Sequence, residues 1–210
     1  MALSTWLAFF AAAWAISFSP GPGAICSMAS GMKYGFRHGF WTVLGLQAGI
    51  LCQLLIVAIG VGALLATSEL AFTAVKWAGA AYLVYLGIRQ FRTDAAPVAV
   101  EARPHPGTHP IRDQLLRGYL VNISNPKGTM FLLAVVPQFL DLNRPLALQY
   151  VLIGATLSLT DVVAMSCYTS LASRILGLLR RPGHIRWLNR CFGSLFILAG
   201  TVLASFSHRS

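Results

Sequence analysis

The chain has 210 residues, of which 56% are apolar and only 10% are charged, and its net charge is +10 at pH 7. This balance is too apolar for a soluble domain of that length and indicates a membrane protein. The 16 Lys and Arg residues lie in short segments between apolar runs and form no stripe on one face, a pattern that argues against nucleic-acid binding and favours anionic lipid head groups.

Six apolar runs are each long enough to cross a bilayer, whose hydrocarbon core of about 30 Å takes roughly 20 helical residues. Their length and their almost complete lack of a polar face argue against buried helices of a soluble protein. The first run has no Lys or Arg before it, so we expect a retained span rather than a signal peptide. The sequence therefore predicts an all-α membrane protein with six transmembrane helices, at residues 6–28, 40–66, 72–89, 115–139, 148–172 and 188–206.

Basic residues concentrate in the first, third and fifth connections between these spans. The second connection carries Glu69, and the fourth carries Asp141 and Arg144. Because basic loops remain in the cytoplasm, we expect the odd-numbered loops inside and both termini on the periplasmic side.

The segment 94–110 is rich in Pro, Ala and His, and it reads as a cytoplasmic linker between two halves, 1–93 and 111–210, of one transmembrane domain. His105 and His109 have the spacing of a metal-binding pair on a helix. The neighbouring prolines prevent a helix there, so we predict no metal site.

Proline interrupts the first and the fourth predicted spans, at residues 19–23 and 122–127. A broken helix frees backbone groups that hydrocarbon cannot satisfy, so such a break faces protein or a watery cavity. With three spans in each half, matching halves must be inverted relative to each other. Two inverted three-helix halves, each with a broken first helix, are typical of secondary transporters whose substrate site lies near the membrane midplane. We expect helices to restart near Pro22 or Gly23 and at Pro126, with their N–H groups directed at an anion.

Asp161 is the one acidic residue predicted to be buried in a span, about 13 residues into the fifth. A carboxylate at that depth costs about 3 kcal/mol or more, so it must find a partner, face water or remain protonated. We expect it to carry a coupling proton or to bind a substrate ammonium group. The alternative is a structural anchor, paired with Lys127 or capping a broken helix.

Lys127 follows Asn125 and Pro126 halfway along the fourth span. Its charge adds to the positive end of a restarting half-helix, and this combination favours a substrate carboxylate. The alternative is that Lys127 snorkels or neutralises Asp161. Gln47 and Asn125 are expected to line the cavity, although amides in membranes also join neighbouring helices. The predicted substrate-binding residues are Pro20, Gly21, Pro22, Gly23, Gln47, Asn125, Pro126 and Lys127.

Several classes of chemistry lack their motifs in this sequence. It contains no phosphate-binding loop and no Ser/His/Asp or metal-hydrolase constellation, so we predict neither an enzyme nor a cofactor. The 4 cysteines form no Cys-x-x-Cys pair and fall in apolar segments, where packing is their expected role. A membrane thiol-redox protein and an ion or metal exporter are the alternatives. Gly45, Gly49, Gly60 and Gly62 are expected to allow close packing of helices.

Taken together, these residues resemble the LysE/RhtB superfamily of amino-acid exporters over nearly the whole chain. The matching segments, in the right order, are Ser-Pro-Gly-Pro-Gly (19–23), Gly-Leu-Gln-Ala-Gly (45–49), Lys-Trp-Ala-Gly-Ala-Ala-Tyr-Leu (76–83), Asn-Pro-Lys (125–127), Pro-Gln-Phe (137–139) and Phe-Gly-Ser-Leu-Phe (192–196). The resemblance implies a multi-pass protein of the bacterial inner membrane that exports small neutral amino acids by proton antiport.

Within the superfamily, Gly-Pro-Gly-Ala-Ile at 21–25 and Lys-Trp-Ala-Gly at 76–79 are closer to the homoserine and homoserine lactone efflux branch. Threonine, serine and leucine are alternative substrates that the resemblance allows. Many relatives carry an acidic residue where Gly23 stands here, so Asp161 is the remaining candidate for proton coupling. The implied partners are an amino-acid substrate and the lipid bilayer, and the oligomeric state, a homo-oligomer included, is left open.

Overall fold

The computed structural model describes residues 3–67, 69–92, 110–172 and 182–206. Within these ranges every regular element is helical and no strand occurs, which confirms the predicted all-α class. The elements in chain order are α1 (Leu3–Phe18), α2 (Pro22–Thr67), α3 (Glu69–Arg92), α4 (Pro110–Ile123), α5 (Pro126–Val135), a 3₁₀ turn (Val136–Phe139), α6 (Leu146–Ser170) and α7 (Pro182–Phe206). The predicted linker, with His105 and His109, lies outside the described residues except for Pro110, where α4 begins.

The long helix α2 is a hairpin of two helical arms, 22–34 and 36–67, that meet at Gly35. Gly35 has φ 71° and ψ 176°, a backbone conformation that residues with a Cβ atom rarely adopt. The hydroxyls of Ser30 and Thr42 lie 2.7 Å apart, whereas twelve residues of straight helix would span about 18 Å. The first predicted connection is therefore a turn centred on a single glycine.

Both predicted helix breaks are present, between Phe18 and Pro22 and between Ile123 and Pro126. Two described helices contain a stretch long and apolar enough to cross a bilayer: Pro22–Gly62, which folds back at Gly35, and Leu146–Ser170. Leu3–Phe18 is a shorter apolar helix. The arrangement of six spans in two inverted halves stays a prediction.

Close helix packing depends on glycine at several crossings, of which the α2–α4 and α3–α7 contacts are examples. At Gly45 in α2, a Cβ atom would collide with the backbone carbonyl oxygen of Leu115 in α4. At Gly87 in α3, a Cβ would lie 2.7 Å from the carbonyl oxygen of Gly193 in α7. Helices that pack by van der Waals contact in lipid need such small residues, so Gly45 behaves as predicted.

Gly49 also faces α4, where a Cβ would lie 2.7 Å from the Cβ of Asn122. Gly60 and Gly62 differ, because a Cβ at either position would have no atom within 4 Å among the described residues. Among the described residues nothing packs closely against these two glycines, since α4 does not extend alongside that end of α2, and their role in close packing stays a prediction.

Two apolar clusters form the interior. One combines residues of α1, α2, α3, α5, α6 and α7 around Phe9, Phe131 and Phe196. The other combines α2 and α6 around Met28 and Met165. The two helix breaks lie where these clusters meet, which places the freed backbone groups in the middle of the molecule.

Candidate functional site

The first break is produced by two prolines and completed by two neighbouring donors. Pro20 and Pro22 lack an N–H, so the carbonyls of Ile16 and Phe18 lose the helical partner four residues ahead. The Ser19 N–H donates to the Ile16 carbonyl at 3.3 Å. The Tyr168 hydroxyl, from α6, donates to the Phe18 carbonyl at 2.7 Å. Both carbonyls that the prolines release therefore accept a hydrogen bond from another donor, as buried backbone groups in a membrane protein require.

The second break follows the same logic. Pro126 cannot donate to the carbonyl of Asn122, which instead accepts from the Asn125 N–H at 2.9 Å and from Gln53 Nε2 at 2.9 Å. Asn125 is the N-cap of α5, and its Oδ1 accepts from the Lys127 N–H at 3.1 Å. The predicted helix restarts at Pro22 and Pro126 are confirmed.

Gln53 is the main donor at the second break. Its Nε2 also lies 2.7 Å from the Thr129 hydroxyl, 3.3 Å from the Ile123 carbonyl and 3.4 Å from the Asn125 carbonyl. One buried amide of α2 therefore donates to the Asn122 carbonyl that the proline releases and lies close to the carbonyls of Ile123 and Asn125. This is the helix-joining role that amides have in membranes.

Replacing Gln53 with Met keeps the side-chain volume and removes the donor. We expect the free energy of unfolding to fall by about 1–3 kcal/mol, the cost of a buried carbonyl without a partner. The measurement is the thermal midpoint of the purified protein. Gln138→Met is the control, because Gln138 Nε2 donates to the Ala134 carbonyl one turn back. Equal losses in the two variants would contradict the role given to Gln53.

Lys127 joins the two breaks directly. Its ammonium donates to the Ser19 hydroxyl at 2.6 Å, to the Ser19 carbonyl at 3.2 Å and to the Pro20 carbonyl at 3.4 Å. Its stem passes Gly21, where a Cβ would lie 3.7 Å from Lys127 Cδ. Segments 108 residues apart in sequence thus share one charged side chain.

Asp161 is buried and accepts a hydrogen bond from Gln47 Nε2. The Oε1 atom of Gln47 has no partner among the described residues, so an acceptor stands open beside the carboxyl group. The described ion pair is Arg144–Asp141 at 3.1 Å, and in the ranges covered by the structure none joins Lys127 to Asp161. Asp161 is therefore not paired with Lys127, which was one of the two forms of the structural-anchor alternative, the other being a cap on a broken helix.

A central cavity collects these groups. Its volume is about 60 Å³, which is several times the roughly 10–15 Å³ that one water molecule requires. Its lining residues come from α1, α2, α4, α5, α6 and the breaks: Ile16, Ser17, Ser19, Gly21, Gly23, Ala24, Leu46, Ile50, Asn122, Asn125, Lys127, Gly128, Asp161 and Met165. A carboxyl, an ammonium and two amides in one apolar chamber suit a small zwitterion.

A second cavity of about 430 Å³ lies on the other side of the breaks, towards α3. Pro20, Pro22 and Pro126 line it together with Tyr82, Arg89, Gln90 and Met130. Asn125 and Lys127 line both cavities. The lysine and its acceptors therefore form the partition between the two chambers.

The predicted site residues divide between these chambers. Gly21, Gly23 and Asp161 line the central cavity, and Gln47 reaches it through Asp161. Pro20, Pro22 and Pro126 line the second cavity, and Asn125 and Lys127 line both.

The sequence analysis missed Ser17, Ser19, Asn122 and Met165 as lining residues. Ser19 stood inside the quoted proline motif, and Met165 follows Asp161 by one helical turn, so helical spacing would have found it. Ser17, whose hydroxyl donates to the Thr160 hydroxyl at 3.3 Å, carried no such signal.

Broken helices around a chamber that holds a carboxyl, an ammonium and two amides are typical of a membrane transporter, and comparison with known proteins agrees. The chain belongs to the family described as LysE type translocator, whose model matches residues 14–207. The chain is 38% identical to the homoserine/homoserine lactone efflux protein of Salmonella typhimurium, over 99% of this chain and 100% of that protein. It is 40% identical to an uncharacterized membrane protein of Vibrio cholerae, over 98% of each.

A more distant relative is the leucine efflux protein of an Enterobacter strain, 25% identical over 89% of this chain and 88% of that protein. No solved structure matches the chain significantly. The family predicted from the residues is thus confirmed.

Proposed function

We propose that this protein exports small neutral amino acids from the cytoplasm, with homoserine and homoserine lactone as its main substrates, by exchange for protons. The observation that carries the proposal is the central cavity, in which Asp161 and Lys127 face one space without pairing with each other. The full-length likeness to a homoserine/homoserine lactone efflux protein supports the choice of substrate.

The proposed binding mode uses the two kinds of charge that line the central cavity. The N–H ends of the helices that begin at Pro22 and Pro126, together with Lys127, attract a carboxylate or a lactone carbonyl. Asp161 and the open Oε1 of Gln47 accept from the substrate ammonium. A proton that reaches Asp161 removes its charge, so substrate and proton compete for one group and exchange across the membrane.

The second cavity supplies a route to this site. In the predicted orientation, the end of α3 that carries Arg89 faces the cytoplasm, and the cavity extends from there to Lys127. A guanidinium at the entrance attracts a carboxylate. Opening of the lysine partition then admits substrate to Asp161.

Uptake of radiolabelled homoserine into inverted membrane vesicles tests this function. With an acidic interior, protons leave as substrate enters, so we expect accumulation that stops when the proton gradient is collapsed. Labelled leucine in the same vesicles tests the alternative substrate. Absence of gradient-driven homoserine uptake, with uptake of leucine or of a metal ion instead, would replace the proposed substrate.

A further inference from the structure

We propose that the Ser19 hydroxyl and the carbonyls of Ser19 and Pro20 form an ammonium-binding cradle, which Lys127 occupies in this structure and which a substrate ammonium takes over on its way from the second cavity to Asp161. The site deepens the proposed function, and its ligand class is a primary ammonium group, whether in a zwitterionic amino acid or in an amine without a carboxylate.

The acceptors of the cradle match an ammonium ion in number. An ammonium group carries three N–H donors and no acceptor. The three oxygens at the first break lie 2.6, 3.2 and 3.4 Å from Lys127 Nζ. No described backbone N–H donates to the carbonyls of Ser19 or Pro20, because these residues stand between the end of α1 and the start of α2. The two carbonyls are therefore available to a cation, because no helical N–H group occupies them.

The position of the cradle makes it exchangeable. Ser19 lines the central cavity and Pro20 lines the second, so the three oxygens lie at the partition between the chambers. A free ammonium that arrives through either cavity can reach the atoms that now hold Lys127. The displaced Lys127 ammonium is then available to the substrate carboxylate. Release of Lys127 from the cradle and binding of the substrate therefore occur together.

This exchange also accounts for substrates that differ in charge. Closing homoserine to a lactone removes the carboxylate and leaves the ammonium. A site that recognised the carboxylate alone would reject the lactone, whereas a carbonyl cradle accepts both. The assignment to these substrates rests on the proposed function, but the cradle itself does not.

Chemical rescue of Lys127→Ala tests the cradle without any transport measurement. The atoms removed by this change correspond to propylammonium, and 1-propanol is the neutral analogue of the same size. The purified variant should have a lower thermal midpoint than the unmodified protein. Propylammonium should raise that midpoint saturably, as a ligand bound to the folded state does, while 1-propanol should not, and the unmodified protein should show no such rise.

The variant Lys127→Ala/Ser19→Ala serves as the matched control, because it lacks one of the three acceptors and should need more propylammonium for the same shift. If Lys127→Ala does not fold, Lys127→Met, which keeps the stem through the Cε position and lacks only the ammonium nitrogen, is compared in ammonium chloride and in sodium chloride, and equal effects of these two salts would likewise overturn the cradle. Equal effects of the charged and the neutral compound, or no effect of either, would overturn the cradle. Because the readout is stability, a positive result stands even where homoserine uptake fails.

Discussion

Asp161→Asn is expected to abolish the gradient-driven part of substrate uptake into inverted vesicles. The amide has nearly the shape of the carboxyl group and can still pair with Gln47, but it cannot take up and release a proton as the carboxyl group does. Substrate then has no competitor for the site, and an acidic interior no longer drives accumulation. Exchange of labelled for unlabelled substrate across the membrane should continue, since binding at the breaks and Lys127 is intact.

The matched control is Asp141→Asn. Asp141 lies in the connection between the 3₁₀ turn and α6, pairs with Arg144 and is partly exposed, so its change should leave gradient-driven uptake at the unmodified level. Both proteins are reconstituted at equal amounts, and uptake is recorded with and without a pH difference. Full gradient-driven uptake by Asp161→Asn would remove the residue from the coupling mechanism.

The helix breaks were predictable because proline acts locally. A missing N–H frees a carbonyl wherever it occurs in a helix, so residues 19–23 and 122–127 marked both breaks without any knowledge of the fold. The free-energy cost of burying a charged side chain in a span also depends only on the residue type and its depth. Asp161 and Lys127 could therefore be identified before their surroundings were known.

The partners of these groups were not predictable, since they come from distant parts of the chain. From the sequence, the Lys127 ammonium could have contacted either the Asp161 carboxylate or the carbonyls of the first break, and nothing in the pattern of charged residues distinguishes the two. Packing places its ammonium on Ser19 and Pro20 instead, across 108 residues. Gln47 and Gln53 illustrate the same limit: they lie on one helix less than two turns apart, yet one contacts Asp161 and the other supports the second break.

Glycine shows the limit most sharply. Gly45 and Gly60 lie in similar apolar sequence on α2, fifteen residues apart, which is about 22 Å along the helix. Only the first lies where α4 crosses, and the residue type alone does not report that difference.

Gly45→Ala is expected to be strongly destabilising, although alanine favours a helix over glycine by about 1 kcal/mol in water. The added methyl group would collide with the carbonyl oxygen of Leu115, a backbone atom that cannot move without shifting α4. Overpacking of this kind costs about 1–3 kcal/mol and more where the backbone is rigid. The measurement is the thermal midpoint of the purified protein and the yield of monodisperse material.

The loss should exceed that of a simple packing fault because the α2–α4 spacing also fixes the polar contacts at the second break. Asn122 Nδ2 donates to the Leu46 carbonyl at 2.6 Å, and Gln53 Nε2 to the Asn122 carbonyl at 2.9 Å, so separating the helices stretches both bonds. Gly60→Ala, whose methyl group meets no described atom within 4 Å, should be neutral or slightly stabilising. A midpoint that falls equally in both variants would mean that glycine matters here through backbone flexibility and not through the closeness of the two helices.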